Sequence, residues 1–486
     1  MPVGNLMINK KSFENELITD NPQFSYFSST IANTSDFSME DTTQYFLNGF
    51  GFGKKSCCYL HNNSDLINNV YLVVNLPSLP TLERYENIGF AWRWVENVGH
   101  AVVKNIDVEI GNKVVQSFNG TYLDVFHKLR KTRSKSIDHM IGNVDSLRMY
   151  TSRKEAYKLY VPIPFWFTRE YGNSFPIGKT GVKKVKINVD FSNLGDVLSY
   201  GPTHYIDIDE SEVLFDKYET IYQKGTGAMG EFFFFDSSLK RMYYNPLSSV
   251  SFSENNSSFI DNIFTKKERS LFITNGDDTL MYSPVSIPVE TNLDIQGNYN
   301  IVSSYLLVSY IYLSSEEQEF MSKQEKLKYI IQQTNIVEYK DVESRKQDFS
   351  INSKNPCYEM IWVCVSSENV GLKKYFEYSS SPVSTSVFFN SYDIVSKRRS
   401  DYLTSVSRFE NYSCMENENI NVHSFSLSPL EYQPSGSINL DKIEKISVKM
   451  EFDSRVNPSN KLNVYFFVNT YNVLSISTDK NAETLF

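Results

Sequence analysis

Apolar and polar residues alternate one by one over many short stretches of this chain. In Lys184-Val185-Lys186-Ile187-Asn188-Val189-Asp190-Phe191 every second position is apolar. That period sends one set of side chains into a core and the other into water. It recurs at Ile106-Asp107-Val108-Glu109-Ile110 and at Ile446-Ser447-Val448-Lys449-Met450-Glu451-Phe452. Val70-Tyr71-Leu72-Val73-Val74 is apolar at successive positions, as a central strand covered on both faces is. Many short strands parted by polar turns predict a sandwich or barrel.

Helical spacing is confined to two places. Tyr122, Val125, Phe126 and Leu129 predict one helix. Ser314 followed by Glu317 reads as a capping box, and Phe320, Leu327, Ile330 and Ile331 extend a stripe from it, predicting a second helix. That helix follows the strand-like Tyr305-Leu306-Leu307-Val308-Ser309-Tyr310-Ile311-Tyr312-Leu313. The main domain boundary is expected near residue 323. Between about 196 and 300 the pattern loosens. Asn245-Pro246-Leu247-Ser248-Ser249 and Ser253-Glu254-Asn255-Asn256-Ser257-Ser258 read as loop. A structureless loop of that length is unusual, so Val213-Leu214-Phe215 and Ser270-Leu271-Phe272-Ile273 are taken as short strands of an insertion with structure of its own.

Composition sharpens this picture. A chain of 486 residues spans about three domain-sized units and buries a core without covalent staples. Its 32 Tyr and 34 Phe favour pleated sheet. The net charge of -9 has the wrong sign for a protein whose task is to wrap nucleic acid. Five cysteines, Cys57, Cys58, Cys357, Cys364 and Cys414, are an odd, sparse set that suits a reducing compartment rather than a disulfide framework. The polar start Met1-Pro2-Val3-Gly4-Asn5 has no apolar signal core. Glu231-Phe232-Phe233-Phe234-Phe235-Asp236 is too short to span a bilayer. The chain is expected to stay in water and outside the secretory route.

Candidate chemistry is thin. Gly49-Phe50-Gly51-Phe52-Gly53-Lys54-Lys55 has Asn48 where a phosphate loop needs Gly and Lys55 where it needs Ser or Thr. It therefore reads as a strand connection. His61, His100, His127, His139, His204 and His423 have no zinc-ligand spacing, and Cys57-Cys58 are adjacent; both sets read as structural or surface residues. Asp207, Asp209, Glu210 and Glu212 would bind Ca²⁺ only if loops folded them inward; a solvated acidic stretch is the simpler reading. No Gly-x-Ser-x-Gly elbow with ordered partners occurs. The basic run Lys128, Arg130, Lys131, Arg133 and Lys135 has two readings of equal weight. It faces an acidic neighbour, an anionic membrane or packaged DNA, or it is a solvated loop. Lys397-Arg398-Arg399 is a weaker second case. Sequons stand at Asn33, Asn62, Asn119, Asn255, Asn256 and Asn411, and a chain expected to stay outside the secretory route is not expected to carry ordinary glycans there.

Several segments, in order, resemble the double jelly-roll major capsid proteins of nucleocytoplasmic large DNA viruses. They are Asn21-Pro22-Gln23-Phe24-Ser25-Tyr26-Phe27, Phe37-Ser38-Met39-Glu40, Phe52-Gly53-Lys54-Lys55, Asp65-Leu66-Ile67, Asp107-Val108-Glu109-Ile110-Gly111 and Gly120-Thr121-Tyr122-Leu123. Val161-Pro162-Ile163-Pro164-Phe165-Trp166-Phe167-Thr168-Arg169 follows, then Tyr310-Ile311-Tyr312-Leu313 and Pro356-Cys357-Tyr358-Glu359-Met360-Ile361-Trp362-Val363. The C-terminal signatures are Ser424-Phe425-Ser426-Leu427-Ser428-Pro429-Leu430-Glu431-Tyr432-Gln433-Pro434-Ser435-Gly436 and Asn469-Thr470-Tyr471-Asn472-Val473-Leu474, a turn and a closing strand.

The resemblance implies an all-β fold of two tandem antiparallel eight-stranded jelly rolls with short helices. An N-terminal arm is expected over 1–19 and a first roll over 20–322. A 196–300 insertion would form a surface tower, and a second roll would cover 323–486. It implies a homotrimeric, pseudo-hexameric capsomer of an icosahedral virion shell, assembled in the host cytoplasm. Partners would be the chain itself, minor capsid proteins and an inner membrane face, with no specific nucleic acid and no small-molecule substrate. It implies no enzyme, no catalytic residues, no cofactor and no metal. The alternatives are a minor or vertex capsid paralogue, a poxvirus-like scaffold, and, from another class, a carbohydrate-binding or glycoside-hydrolysing β-sandwich whose aromatics stack sugars.

Overall fold

The alternating stretches become strands, and the strands form sandwiches. The computed structural model describes residues 20–21, 34–131, 136–180, 185–223, 226–247, 250–253, 263–265, 281–295, 297, 299–379, 382–412, 418–458, 460–477 and 482–484. In the first unit the strands of the two four-stranded sheets are β1 (Phe37–Tyr45), β2 (Lys55–Tyr59), β3 (Leu66–Leu76), β4 (Val103–Ile110), β5 (Lys113–Phe118), β6 (Tyr157–Pro162), β7 (Val185–Phe191) and β8 (Ser303–Leu313), while Ala91–Trp94 and Leu198–Gly201 pair apart from them. The numbered strands pair in the orders β1-β8-β3-β6 and β2-β7-β4-β5, antiparallel throughout. In β7 the apolar residues are buried and the polar ones half-buried in strict alternation, as a period of two demands.

The second unit repeats the plan. Its strands are β9 (Lys326–Val342), β10 (Lys346–Ile351), β11 (Pro356–Ser366), β12 (Ser384–Phe389), β13 (Tyr392–Arg399), β14 (Asn421–Ser424), β15 (Ile446–Glu451) and β16 (Leu462–Ser477). They pair as β9-β16-β11-β14 and β10-β15-β12-β13; Ile438–Asn439 adds to β11, and Ala482–Thr484 to β16. Counting from the first strand of each unit, the two orders are identical. The fold is therefore a double jelly roll.

Two apolar cores explain how the units stay together. Met360, Trp362 and Cys364 of β11 pack into a core between the second unit's own sheets, with Val387, Val448 and Phe466. Ile361, Val363 and Val365, on the opposite face of β11, join the first unit's core, as do Ile331 and Phe467. The sheet β9-β16-β11-β14 is thus an interior layer, and β11 is buried along nearly its whole length.

Between β7 and β8 the chain makes a further seven-stranded sheet. Its spatial order is Met281–Tyr282, Ile263–Thr265, Thr220–Gln223, Ala228–Asp236, Arg241–Pro246, His204–Asp207 and Val289–Glu290. It has its own core of Ile206, Ile208, Ile221, Phe232, Met242 and Tyr244. At its base Arg93 spans all three parts. Its guanidinium lies 3.5 Å from Glu231 and donates to the carbonyl of Leu372 at 3.1 Å.

The helix predicted at Tyr122 is α1 (Gly120–Arg130). The second is α2 (Ser315–Lys323), where the Ser314 hydroxyl accepts from the Glu317 amide as the capping box requires. It stops short of the predicted stripe, because Leu327, Ile330 and Ile331 lie in β9. Ile331 is buried and Ile330 is 45% exposed, a period of two imposed by the ladder to β16. Val213-Leu214-Phe215 is not a strand; Phe215 instead plugs the insertion's core edge-on to Tyr282 and Phe232. Asn245 and Pro246 end a strand rather than forming loop. The segments Ser270–Ile273, 22–27 and 254–258 lie outside the described residues.

Candidate functional site

The richest concentration of polar groups lies where the two units meet, and α1 carries most of it. Asn119 caps the helix, its side chain accepting from the Tyr122 amide at 2.8 Å. Tyr122, Leu123, Val125 and Leu129 bury one face, and Tyr122 packs on Phe467 of β16 at 5.4 Å between ring centroids. Asp124 lies on the same helix and is 1% exposed. A buried carboxylate has to be paired to survive there. It accepts from Asn97 at 2.8 Å and from the Tyr378 hydroxyl at 2.7 Å, and lies 3.1 Å from the Lys128 ammonium. Burial alone would raise the Asp124 carboxyl, but Lys128, His100 and Tyr378 hold it below its ordinary value. Lys128 also reaches Glu418 at 3.4 Å and the Phe376 carbonyl at 2.9 Å, both in the second unit. Burial would lower the Lys128 ammonium, but Asp124 and Glu418 raise it.

Two histidines complete this knot. The rings of His100 and His127 stack at 5.0 Å, with His127 Nδ1 3.0 Å from His100 Nε2. His100 Nδ1 lies 3.4 Å from Asp124. A proton on His100 Nδ1 facing Asp124 leaves His100 Nε2 in position to accept from His127 Nδ1–H. Burial first, and then the His100 ring, push His127 down to about 3.

A second knot lies on the β11 side. Glu359, 3% exposed, accepts from Asn469 at 2.6 Å and from the Tyr412 hydroxyl. Asn469 in turn accepts from Thr334 at 2.7 Å and Tyr122 at 3.3 Å. Burial raises the Glu359 carboxyl, and Arg130, Tyr412 and Asn469 oppose this only in part. Arg130 donates to the carbonyls of Leu430 at 2.7 Å and Pro429 at 3.3 Å. The C-terminal turn signature is therefore a docking loop for α1. Between the two units a cavity of about 480 Å³ is lined by Phe126, Arg130, Arg169, Leu430 and Tyr432.

These arrangements fasten rather than react. Each ionisable group in the knots has a partner that neutralises it or satisfies its hydrogen bonds. Among the described residues no group of three or more His, Cys, Asp or Glu could hold a metal. No helix among them is long and apolar enough to cross a membrane.

The basic run divides on inspection. Lys128 and Arg130 are neither a solvated loop nor a face for DNA; they are inter-unit fasteners. Lys131 lies 3.9 Å from Asp138, and Arg133 and Lys135 fall outside the described residues. Lys397, Arg398 and Arg399 stand on β13. The acidic cluster does not converge: Asp207 pairs with Arg241 at 3.0 Å, Asp209 lies 3.6 Å from Lys240, and Glu210 and Glu212 face solvent. The Gly49–Lys55 stretch connects β1 to β2, and the Phe52 amide donates to Asn300. Burial pushes the Cys58 and Cys364 thiols up to about 12, and Cys357 also rises; these thiols are inert. Cys414 lies outside the described residues. By spacing alone the histidines read as structural or surface residues. Asp124, His127 and Lys128 do share a helix face at spacings of three and four, but nothing in the sequence places His100 against them.

The model for the major capsid protein N-terminus matches residues 25–218, and the model for the large eukaryotic DNA virus major capsid protein matches 317–480. The chain is 27% identical to probable capsid protein 4 of Acanthamoeba polyphaga mimivirus, with 94% of each chain covered. Among solved structures it is similar to the Faustovirus major capsid protein, with TM-score 0.65, 10% identity and coverage of 96% of this chain and 95% of that one. It is also similar to PBCV-1 VP54, with TM-score 0.63, 14% identity and coverage of 95% and 100%.

Proposed function

This chain belongs to the large eukaryotic DNA virus major capsid protein family, and on that premise we propose that it forms trimeric capsomers that tile an icosahedral shell. It is a structural protein of the virion capsid, not an enzyme. The observation that carries the trimer reading is the repeated strand order of the two units, fused through one continuous core. Three copies in a closed ring satisfy head-to-tail contacts, and two alike units per copy let that ring imitate sixfold symmetry. Jelly rolls suit tiling because their strand edges are short or covered, which limits uncontrolled pairing.

On this reading the first roll covers 20–322, with 196–300 projecting from one end as a tower, and the second covers 323–486. Capsomers assemble in the host cytoplasm and meet minor capsid proteins and an inner membrane face. Trp92, Trp94, Trp166 and Trp362 are all fully buried, so no tryptophan face is offered to a sugar. Light scattering of the purified protein tests the proposal. A particle of three times 56.1 kDa is expected, and a monomer that binds oligosaccharide would reject it.

A further inference from the structure

We propose that the cavity of about 480 Å³ at the joint between the two units is a binding site for a small, soluble organic phosphate monoester. Two arginines point to it. Arg130 of α1 and Arg169, which follows Pro164-Phe165-Trp166-Phe167-Thr168, both line the cavity. Each guanidinium carbon lies 4.6 Å from the centre of the Phe126 ring, so two charges share one aromatic side chain. Among the described residues neither arginine makes an ion pair. Arg130 donates to the neutral carbonyls of Leu430 and Pro429. Arg169 Nε and Nη1 are buried and meet no acceptor.

Two neighbouring cations with no counter-ion are costly, and they call for an anion. Arginine stays protonated when buried, so losing a proton does not relieve the repulsion. Burial first, and then the Arg169 charge, push the Arg130 guanidinium below its ordinary value. The Phe126 ring offsets part of this through its quadrupole, but it brings no oxygen to Arg169. Glu359 feels both charges, yet it turns to Asn469 and Tyr412. Glu170 and Glu431 also line the cavity, but both are exposed, and Glu170 accepts from Asn173 at 3.1 Å. A phosphate monoester carries about −1.5 to −2 charge at pH 7 and three acceptor oxygens, matching two guanidiniums better than a carboxylate does. The cavity also has room beyond a bare phosphate, and Pro162, Pro164, Leu430 and Tyr432 offer walls to an organic body. The arginines belong to the first unit and Leu430 and Tyr432 to the second, so a bound ester ties the units together. It is held, not transformed, and the site lies within one copy, independent of the trimer.

Titration calorimetry on the full chain tests this, with phenyl phosphate as the probe at constant chloride. Phenyl phosphate is expected to bind once per chain, on the order of tenfold tighter than inorganic phosphate or benzoate. It should also raise the unfolding midpoint with concentration. Arg169→Gln is expected to weaken the ester on the order of tenfold or more. The ester-free variant should be no less stable than wild type, because a repulsion is removed. Arg169→Lys keeps the charge without the planar fork and should fall between the two. Arg84→Gln removes the same charge from an exposed site and should bind as wild type does. No saturable binding to wild-type protein, or an equal loss in Arg84→Gln, would overturn the site. Benzoate binding as tightly as phenyl phosphate would overturn the phosphate assignment. Vesicles of phosphatidylcholine and phosphatidate separate the sources: sedimentation with them that Arg169→Gln abolishes would replace the soluble ester by a lipid headgroup. Loss of assembly in Arg169→Gln with no ester binding to wild type would give the cavity to an acidic side chain of another protein, and the proposal would fall.

Discussion

Two buried carboxylates at the same joint, Asp124 and Glu359, are held in opposite directions. Asp124 meets an ammonium at 3.1 Å, and that charge, with His100 and Tyr378, keeps it ionised against its burial. Glu359 accepts from the neutral donors Asn469 and Tyr412, and the cation that opposes its burial most, Arg130, directs its nitrogens at the carbonyls of Leu430 and Pro429. Burial then wins, and the group is held toward its protonated form. Depth alone decides neither state. Whether a cation pairs directly with the carboxylate does, so the first knot is an ionic clasp and the second a hydrogen-bonded one.

The largest expected effect is on the ionic side. Asp124→Ala leaves Lys128 without its nearest anion and His100 and Tyr378 without their acceptor. It should cost about 3–5 kcal/mol in urea unfolding followed by tryptophan fluorescence; a loss under about 1 kcal/mol would mean that the clasp is not ionic.

A smaller effect separates the knots by pH. His127 titrates near 3 when folded and near 6.5 when unfolded. The unfolded chain therefore binds the extra proton, and stability falls as pH drops below about 6.5. Between pH 7 and 5 this contribution should reach at most about 2 kcal/mol, and His127→Gln should flatten that part of the profile. An unchanged slope in the variant would assign the pH dependence elsewhere.

Glu359 has the reverse sign. Its raised carboxyl contributes stability fully below the unfolded value of 4.5, and that contribution is lost as pH rises through the folded value. Glu359→Gln mimics the protonated form and should change stability at pH 7 by less than about 1 kcal/mol. The same variant at pH 4.5 should gain nothing over wild type. A cost there matching that of Asp124→Ala would show that both knots are ionic.

Much of the fold was legible because a period of two survives in any strand with one wet face, as in β7 and β15. The errors fall where another element overrides local pattern. Ile330 and Ile331 look helical after a good capping box, but the long ladder to β16 claims them for β9. Phe215 looks like strand and serves as a plug. The joint was less legible. The uninterrupted apolar run of β11 signals two covered faces but not what covers the second. The clasp pairs residues far apart in the chain, such as Tyr378 with Asp124, 254 positions away, and single-chain spacing carries no trace of that. Family signatures did mark the docking loop at Pro429 and Leu430, though as a turn rather than as a partner of Arg130.

The link between the rolls runs through α2, which buries none of its residues and leaves Phe320 66% exposed. Peptide continuity there serves the search, not the outcome. A tether of this kind raises the local concentration of each half before docking, while the shared core and the two knots hold the halves afterward. A protease nick within α2 should therefore yield two fragments that migrate as one body until denaturant is added.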